Sequence, residues 1–161
     1  AELRNNYNEI STFCHKYPEP VFITKNGKGD LAVMSIEAYE ELTSRFELYS
    51  LLKEGMEDIA KGNTTSFSDT ISDIRSRLKN PQAADALLDE AEKKINSLAD
   101  FPEKFSIVDD PVLASWEIRF VLINNYLAFY TIDYERNLVI VVRFLFQKSN
   151  WNVVLRQGIS L

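Results

Sequence analysis

Residues 115–146 read SWEIRFVLINNYLAFYTIDYERNLVIVVRFLF. Three runs rich in β-branched and aromatic residues, 115–123, 126–133 and 137–146, are joined by Asn124-Asn125 and by the Tyr134-Glu135-Arg136 turn between Asp133 and Asn137. Such short connections predict a three-strand antiparallel meander. In the first run Ile118, Phe120 and Leu122 alternate with Glu117, Arg119, Val121 and Ile123, so Arg119 faces away from Phe120. The third run is apolar on both faces apart from Arg143, and a charge inside such a strand needs a partner or an opening to solvent. Trp116 and Trp151 bracket the meander, where they suit core packing at its ends.

Upstream of the meander the period changes from two to three and four. In "PQAADALLDEAEKKINSL", residues 81–98, Ala84, Leu87, Leu88, Ala91, Ile95 and Leu98 form the buried face of a helix, with Pro81 suited to its first turn after Asn80. Between this helix and the meander, 100–111 reads as an irregular loop anchored by Phe101 and Phe105, its acidic residues solvated. Ile71, Ile74 and Leu78 mark a shorter helix, preceded by a glycine- and Ser/Thr-rich break at 61–69. Before the break, Tyr39, Leu42, Phe46, Tyr49, Leu52, Met56 and Ile59 make a long apolar stripe behind a Ser35 cap and an acidic first turn. A small hairpin cannot cover that stripe, so it predicts a partner helix, most simply from a second copy. The hairpin itself is Val21–Thr24 and Leu31–Met34 around a tip that carries Lys25, Asn26 and Lys28. Leu3, Tyr7, Ile10, Cys14 and Tyr17 trace one face of a first helix, ended by Pro18 and Pro20.

The chain has 161 residues, 45% of them apolar, enough for a core in one medium domain or two small ones. Its 18 basic and 24 acidic residues leave a net charge of −6, shared evenly between the halves, so any nucleic-acid binding has to be local. The single Cys14, a helix core residue, permits no internal disulfide, and the single His15, its solvated neighbour, assembles no usual zinc site. No metal or cofactor is expected. No run is long enough to cross a membrane and residues 1–6 do not resemble a secretory signal, which predicts a cytoplasmic protein without a membrane partner.

Two resemblances sit on these elements. "ELRNNYNEI", "EPVFITKNGKGDLAVMSIEAYEEL" and "GMEDIAKGNTTSFSDTISDIRSR", within residues 1–78, resemble the Phd/YefM antitoxins and their toxin-binding tail. That resemblance implies a homodimer formed through the N-terminal domain, with operator DNA as partner. Lys25 and Lys28 would neutralise phosphates, Asn26 and the glycines would let backbone approach closely, and Arg4 and Asn5 would reach bases or backbone. Members begin with a short strand that this sequence does not show. Residues 77–155, with "FPEKFSIVDDP", "NYLAFY" and the closing Trp151 in order, resemble the RelE/ParE toxins without the family's first strand and most of its first helix. The fold class expected is α+β, with an antitoxin-like domain at 1–62, a tail at 63–79 and a toxin-like domain at 80–161. In this scheme Phe67, Ile71, Ile74 and Leu78 pack where the toxin's lost helix would lie.

RelE-type RNA cleavage needs cations around the scissile phosphate together with an acid and a base, and no metal. The resemblance leaves Arg119, Arg143 and Lys148 as phosphate contacts and Glu117 or Tyr130 as proton carriers. The arginine pair that closes related toxins is replaced by Gln147 and Lys148, and Leu127 stands where RelE has an arginine; neither glutamine nor leucine holds phosphate charge, and lysine lacks the arginine fork. The bland alternative makes Arg119 and Lys148 exposed sheet residues and pairs Arg143 with an acid. The sequence therefore predicts a fused antitoxin and toxin, a dimeric DNA-binding autorepressor whose tail packs on an inactive or weakened toxin domain. A latent ribosome-dependent ribonuclease released by cleavage near Gly62–Ser68, a ParE-like gyrase inhibitor, and a purely structural oligomerisation module are the alternatives.

Overall fold

A computed structural model describes residues 2–78, 81–148 and 151–156. The fold is α+β, with a two-stranded and a three-stranded antiparallel sheet. Two compact units divide between Phe46 and Glu47.

In the first unit, α1 (Glu2–Asn5) and α2 (Tyr7–Lys16) precede β1 (Val21–Lys25) and β2 (Lys28–Val33). The single first helix expected from the apolar period is broken at Asn6, which caps α2 without a side-chain hydrogen bond. Cys14 is buried, its thiol 3.8 Å from the Val33 carbonyl, and His15 is exposed, as the spacing predicted. Tyr7 and Tyr17 are instead exposed, because α2 buries a narrower strip than its apolar period offers; the Leu3 side chain lies outside the described residues. α3 (Ile36–Ala60) starts at Ser35, whose hydroxyl accepts the Ala38 amide at 3.1 Å, and runs on into the second unit.

The second unit is built on β3 (Arg119–Ile123), β4 (Tyr126–Asp133) and β5 (Leu138–Phe146), in that order. Asn124 and Asn137, in the connections, take positive φ, which asparagine tolerates well. One face of the sheet packs against the second half of α3, where Leu48 and Leu52 are fully buried with Leu127, Phe129, Val142 and Trp151. α5 (Pro81–Ser97) supplies the other cluster, in which Ala91, Ile95 and Leu98 meet Val121, Ile123, Ala128 and Tyr130. Leu88, Ala91, Ile95 and Leu98 are buried as its spacing predicted, with Ala84 and Leu87 half-buried; Lys79 and Asn80 lie outside the described residues.

Three further expectations change. From Tyr49 onward the α3 stripe is covered by the chain's own sheet rather than by a partner helix, whereas Tyr39, Leu42 and Phe46 are exposed. The 100–111 loop is not anchored by Phe101, which is 71% exposed. Nor is Asp110 merely solvated: it is buried and caps α6 (Pro111–Ser115), its Oδ1 accepting the Val112 and Leu113 amides at 3.0 Å. Proline at the first helical position behind an aspartate cap starts a helix, here one of only five residues inside the expected loop. A short α7 (Asn152–Arg156) follows Trp151, and both tryptophans join the core on the α3 face.

Candidate functional site

At the hairpin tip, Asn26 and Gly27 both take positive φ, 52° and 74°, the geometry of a two-residue type I′ turn. That turn puts Lys25 directly opposite Lys28 on the ladder, so both side chains leave from the same face. Both are exposed, and neither has an acidic partner among the described residues. Like charges set opposite one another destabilise a hairpin unless an anion sits between them. Arg4 and Asn5 are exposed on α1, and no hydrogen bond or ion pair joins them to the hairpin among the described residues.

The five residues considered for phosphate chemistry do not converge. Arg119 and Tyr130 are cross-strand neighbours on the α5 face. There the Arg119 guanidinium donates to the Phe105 carbonyl and the Tyr130 hydroxyl donates to the Pro102 carbonyl at 3.0 Å, which fastens the 101–105 loop to the sheet. Burial pushes the Tyr130 phenol pKa up, against the pull of the Arg119 charge. Beside them Tyr134 donates to Glu103 at 2.6 Å, and that hydrogen bond raises the Tyr134 pKa. Arg143 is paired with Phe129 and points to the α3 face, two strand spacings (about 10 Å) from β3. Its guanidinium lies 3.6 Å from Glu54 and 3.5 Å from Asp58, both on α3. Lys148 pairs with Glu47 on the same helix and sits 5.6 Å above the Trp151 ring. Glu117 is exposed just before β3, at φ 56°. Cations on opposite faces of one sheet cannot clamp one phosphate.

α4 (Phe67–Arg77) starts at Ser66, whose side chain accepts the Asp69 amide. Phe67 packs against the α5-face cluster and Ile71 is 5% exposed, while Ile74 and Leu78 sit at the margin, 39% and 36% exposed. Arg75 ties α4 to α5 through Asp85 and Asp89, each at 2.5 Å. The residues that sequence reasoning missed are on α3. Leu48 is buried, the Tyr49 hydroxyl bonds to Asp110 at 2.5 Å, and Gly55 lies so close to β5 that a Cβ there would stand 2.5 Å from the Val142 carbonyl oxygen. A lone glycine inside a strong helical pattern was the available signal.

Comparison with protein families places these elements. The model of the ParE toxin of type II toxin-antitoxin systems matches residues 64–151, more than half of the chain. The chain belongs to the ParE toxin family. The Phd/YefM antitoxin model, also of type II systems, matches residues 1–66, so an antitoxin-type segment and a ParE-type segment follow one another in one polypeptide. The ParE match takes in α4 and α5 together, whereas α3 lies wholly inside the antitoxin match. No curated protein and no solved structure matches the chain. Among the described residues no three His, Cys, Asp or Glu side chains gather as a metal site, and no helix is long and apolar enough to cross a membrane.

Proposed function

We propose that this fused type II antitoxin and ParE-type toxin is a dimeric DNA-binding autorepressor whose antitoxin part holds the ParE-type part in a neutralised state. The observation that carries the DNA-binding reading is the like-charged Lys25–Lys28 pair across the hairpin turn, exposed and without an acidic partner among the described residues. A bridging phosphate would relieve that repulsion, and backbone approach is easy beside Gly27 and Gly29. Dimer formation through the antitoxin part is supported by apolar side chains of the first unit that stand more than half exposed: Phe22 on one face of the hairpin, Leu31 on the other, and Ile36 at the start of α3. Neutralisation is supported by the α3 carboxylates: Glu54 and Asp58 reach Arg143, and Glu47 reaches Lys148.

Fluorescence anisotropy of the whole protein on its own upstream DNA, across a salt series and beside a Lys25→Ala, Lys28→Ala variant, tests the repressor reading. Each phosphate contact contributes about 0.9 to the slope of log affinity against log salt. The variant is therefore expected to lose roughly 1.8 per hairpin engaged. Equal affinity for upstream and random DNA would sink the operator reading, and an unchanged slope would remove the hairpin tip from the interface. The ribonuclease alternative draws no support from Arg119 and Arg143, which face opposite sides of the sheet. A gyrase-directed role needs no such cluster; inhibition of supercoiling with messenger left intact is its test.

A further inference from the structure

We infer that residues 47–60 of α3, antitoxin-type by sequence, are a built-in layer of the ParE-type fold rather than a removable clamp, so that cutting the 61–66 connection does not part the two segments. The inference deepens the neutralisation reading above and rests on it for the roles of the two segments. Four observations carry it. Leu48 and Leu52 have no exposed surface and lie among Leu113, Phe129, Val142 and Trp151, all ParE-type core residues. Without them the α3 face of the sheet would be open to water. The Tyr49 hydroxyl meets the buried Asp110, the residue that caps α6, so the helix takes part in satisfying a carboxylate that has almost no access to solvent.

At Gly55 the α3 backbone comes down onto β5 beside Val142, where the β4–β5 ladder carries its irregularity: Phe129 pairs with Arg143 but Tyr130 with Val141. Val142 is thus the extra residue of a bulge, and only a residue without Cβ fits over it. The fourth observation is the acidic row. Glu47, Glu54 and Asp58 are spaced by seven and four residues, one stripe of a helix, and each finds a cation from β5 or just beyond it. Apolar burial, a satisfied buried carboxylate, a shape-specific contact and charge complementarity all hold the same four turns. A segment that has to leave on a signal is drawn from the weakly held end of a structure, and this one is not.

Two measurements on the full chain test the inference. Hydrogen exchange is expected to release the amides of 48–59 together with those of β4, in one cooperative opening; exchange of 48–59 more than about tenfold faster than β4 would overturn the inference. The second measurement inserts a specific protease site within the exposed 61–66 connection and cuts the folded protein. The two fragments are expected to co-elute on size exclusion at micromolar concentration and to separate only in denaturant. Separate elution under native conditions would overturn the inference, and if the cut chain precipitates the exchange data decide. Neither readout involves DNA or toxicity. A separate growth assay tells the two readings apart: growth arrest by the intact chain with the cut fragments still joined strikes at the neutralisation reading alone, and parted fragments with no growth arrest by the intact chain strike at this inference alone.

Discussion

Gly55 and Tyr130 show how much a single position is held to by its neighbours. A Gly55→Ala substitution places a methyl group 2.5 Å from the Val142 carbonyl, and neither the helix backbone nor the bulge can step aside cheaply. Overpacking of this kind costs about 1–3 kcal/mol, against up to about 1 kcal/mol gained from alanine's better helix propensity. Denaturant unfolding is expected to show a net loss of stability; a neutral or stabilising result would mean that α3 does not ride on the bulge. Tyr130 makes a pH prediction. Burial raises its folded pKa above the unfolded value near 10, so its contribution is whole below about pH 10 and is lost as the pH climbs through the raised value. The melting temperature should fall over that alkaline range, and less so in Tyr130→Phe, which also gives up about 1 kcal/mol with the Pro102 hydrogen bond. An alkaline fall of equal size in the variant would assign it to other groups.

Among the elements, α4 separates two residues that the sequence treated alike. Ile71 and Ile74 both lie on its apolar stripe, but Ile71 is buried under the α4–α5 contact and Ile74 is 39% exposed. Ile71→Asp, which buries a carboxylate without a partner, is expected to cost about 2–4 kcal/mol, and Ile74→Asp less than about 1 kcal/mol. Urea midpoints of the two variants check the contrast; equal midpoints would mean that α4 packs through a different edge. The same element shows the reach of pattern reading. A period of three and four identified the faces of α4 and α5, and alternation set the meander, because these signals come from neighbours along the chain. The Asp110-Pro111 start of α6 is a local signal too, an N-cap followed by proline, but it is set among residues whose lack of period reads as a loop. The buried Asp110 is met by the hydroxyl of Tyr49, 61 residues away, a contact that no local period reports.

For the whole molecule, the first unit stands out by the large apolar side chains that it exposes. Phe22 is 70% exposed on one face of the hairpin and Leu31 53% exposed on the other. If one of these faces joins two copies, either Phe22→Glu or Leu31→Glu alone shifts the sedimentation profile from dimer to monomer at micromolar concentration, while the second unit keeps its melting transition. A variant that sediments like the parent would move the dimer contact elsewhere or remove it. The sequence by itself determined the α+β class, the antiparallel meander, the presence of the N-terminal hairpin, the buried face of α5 and the succession of antitoxin-like and toxin-like segments. All of these follow from short-range periodicity, turn chemistry and family motifs. Only the tertiary structure decided that the second half of α3 is covered by the chain's own sheet, that Arg119 and Arg143 look to opposite sides, and that the acids meeting Arg143 and Lys148 are on α3. Alternation fixes which residues of one strand share a face, but which helix covers that face is set by packing between segments far apart in the chain.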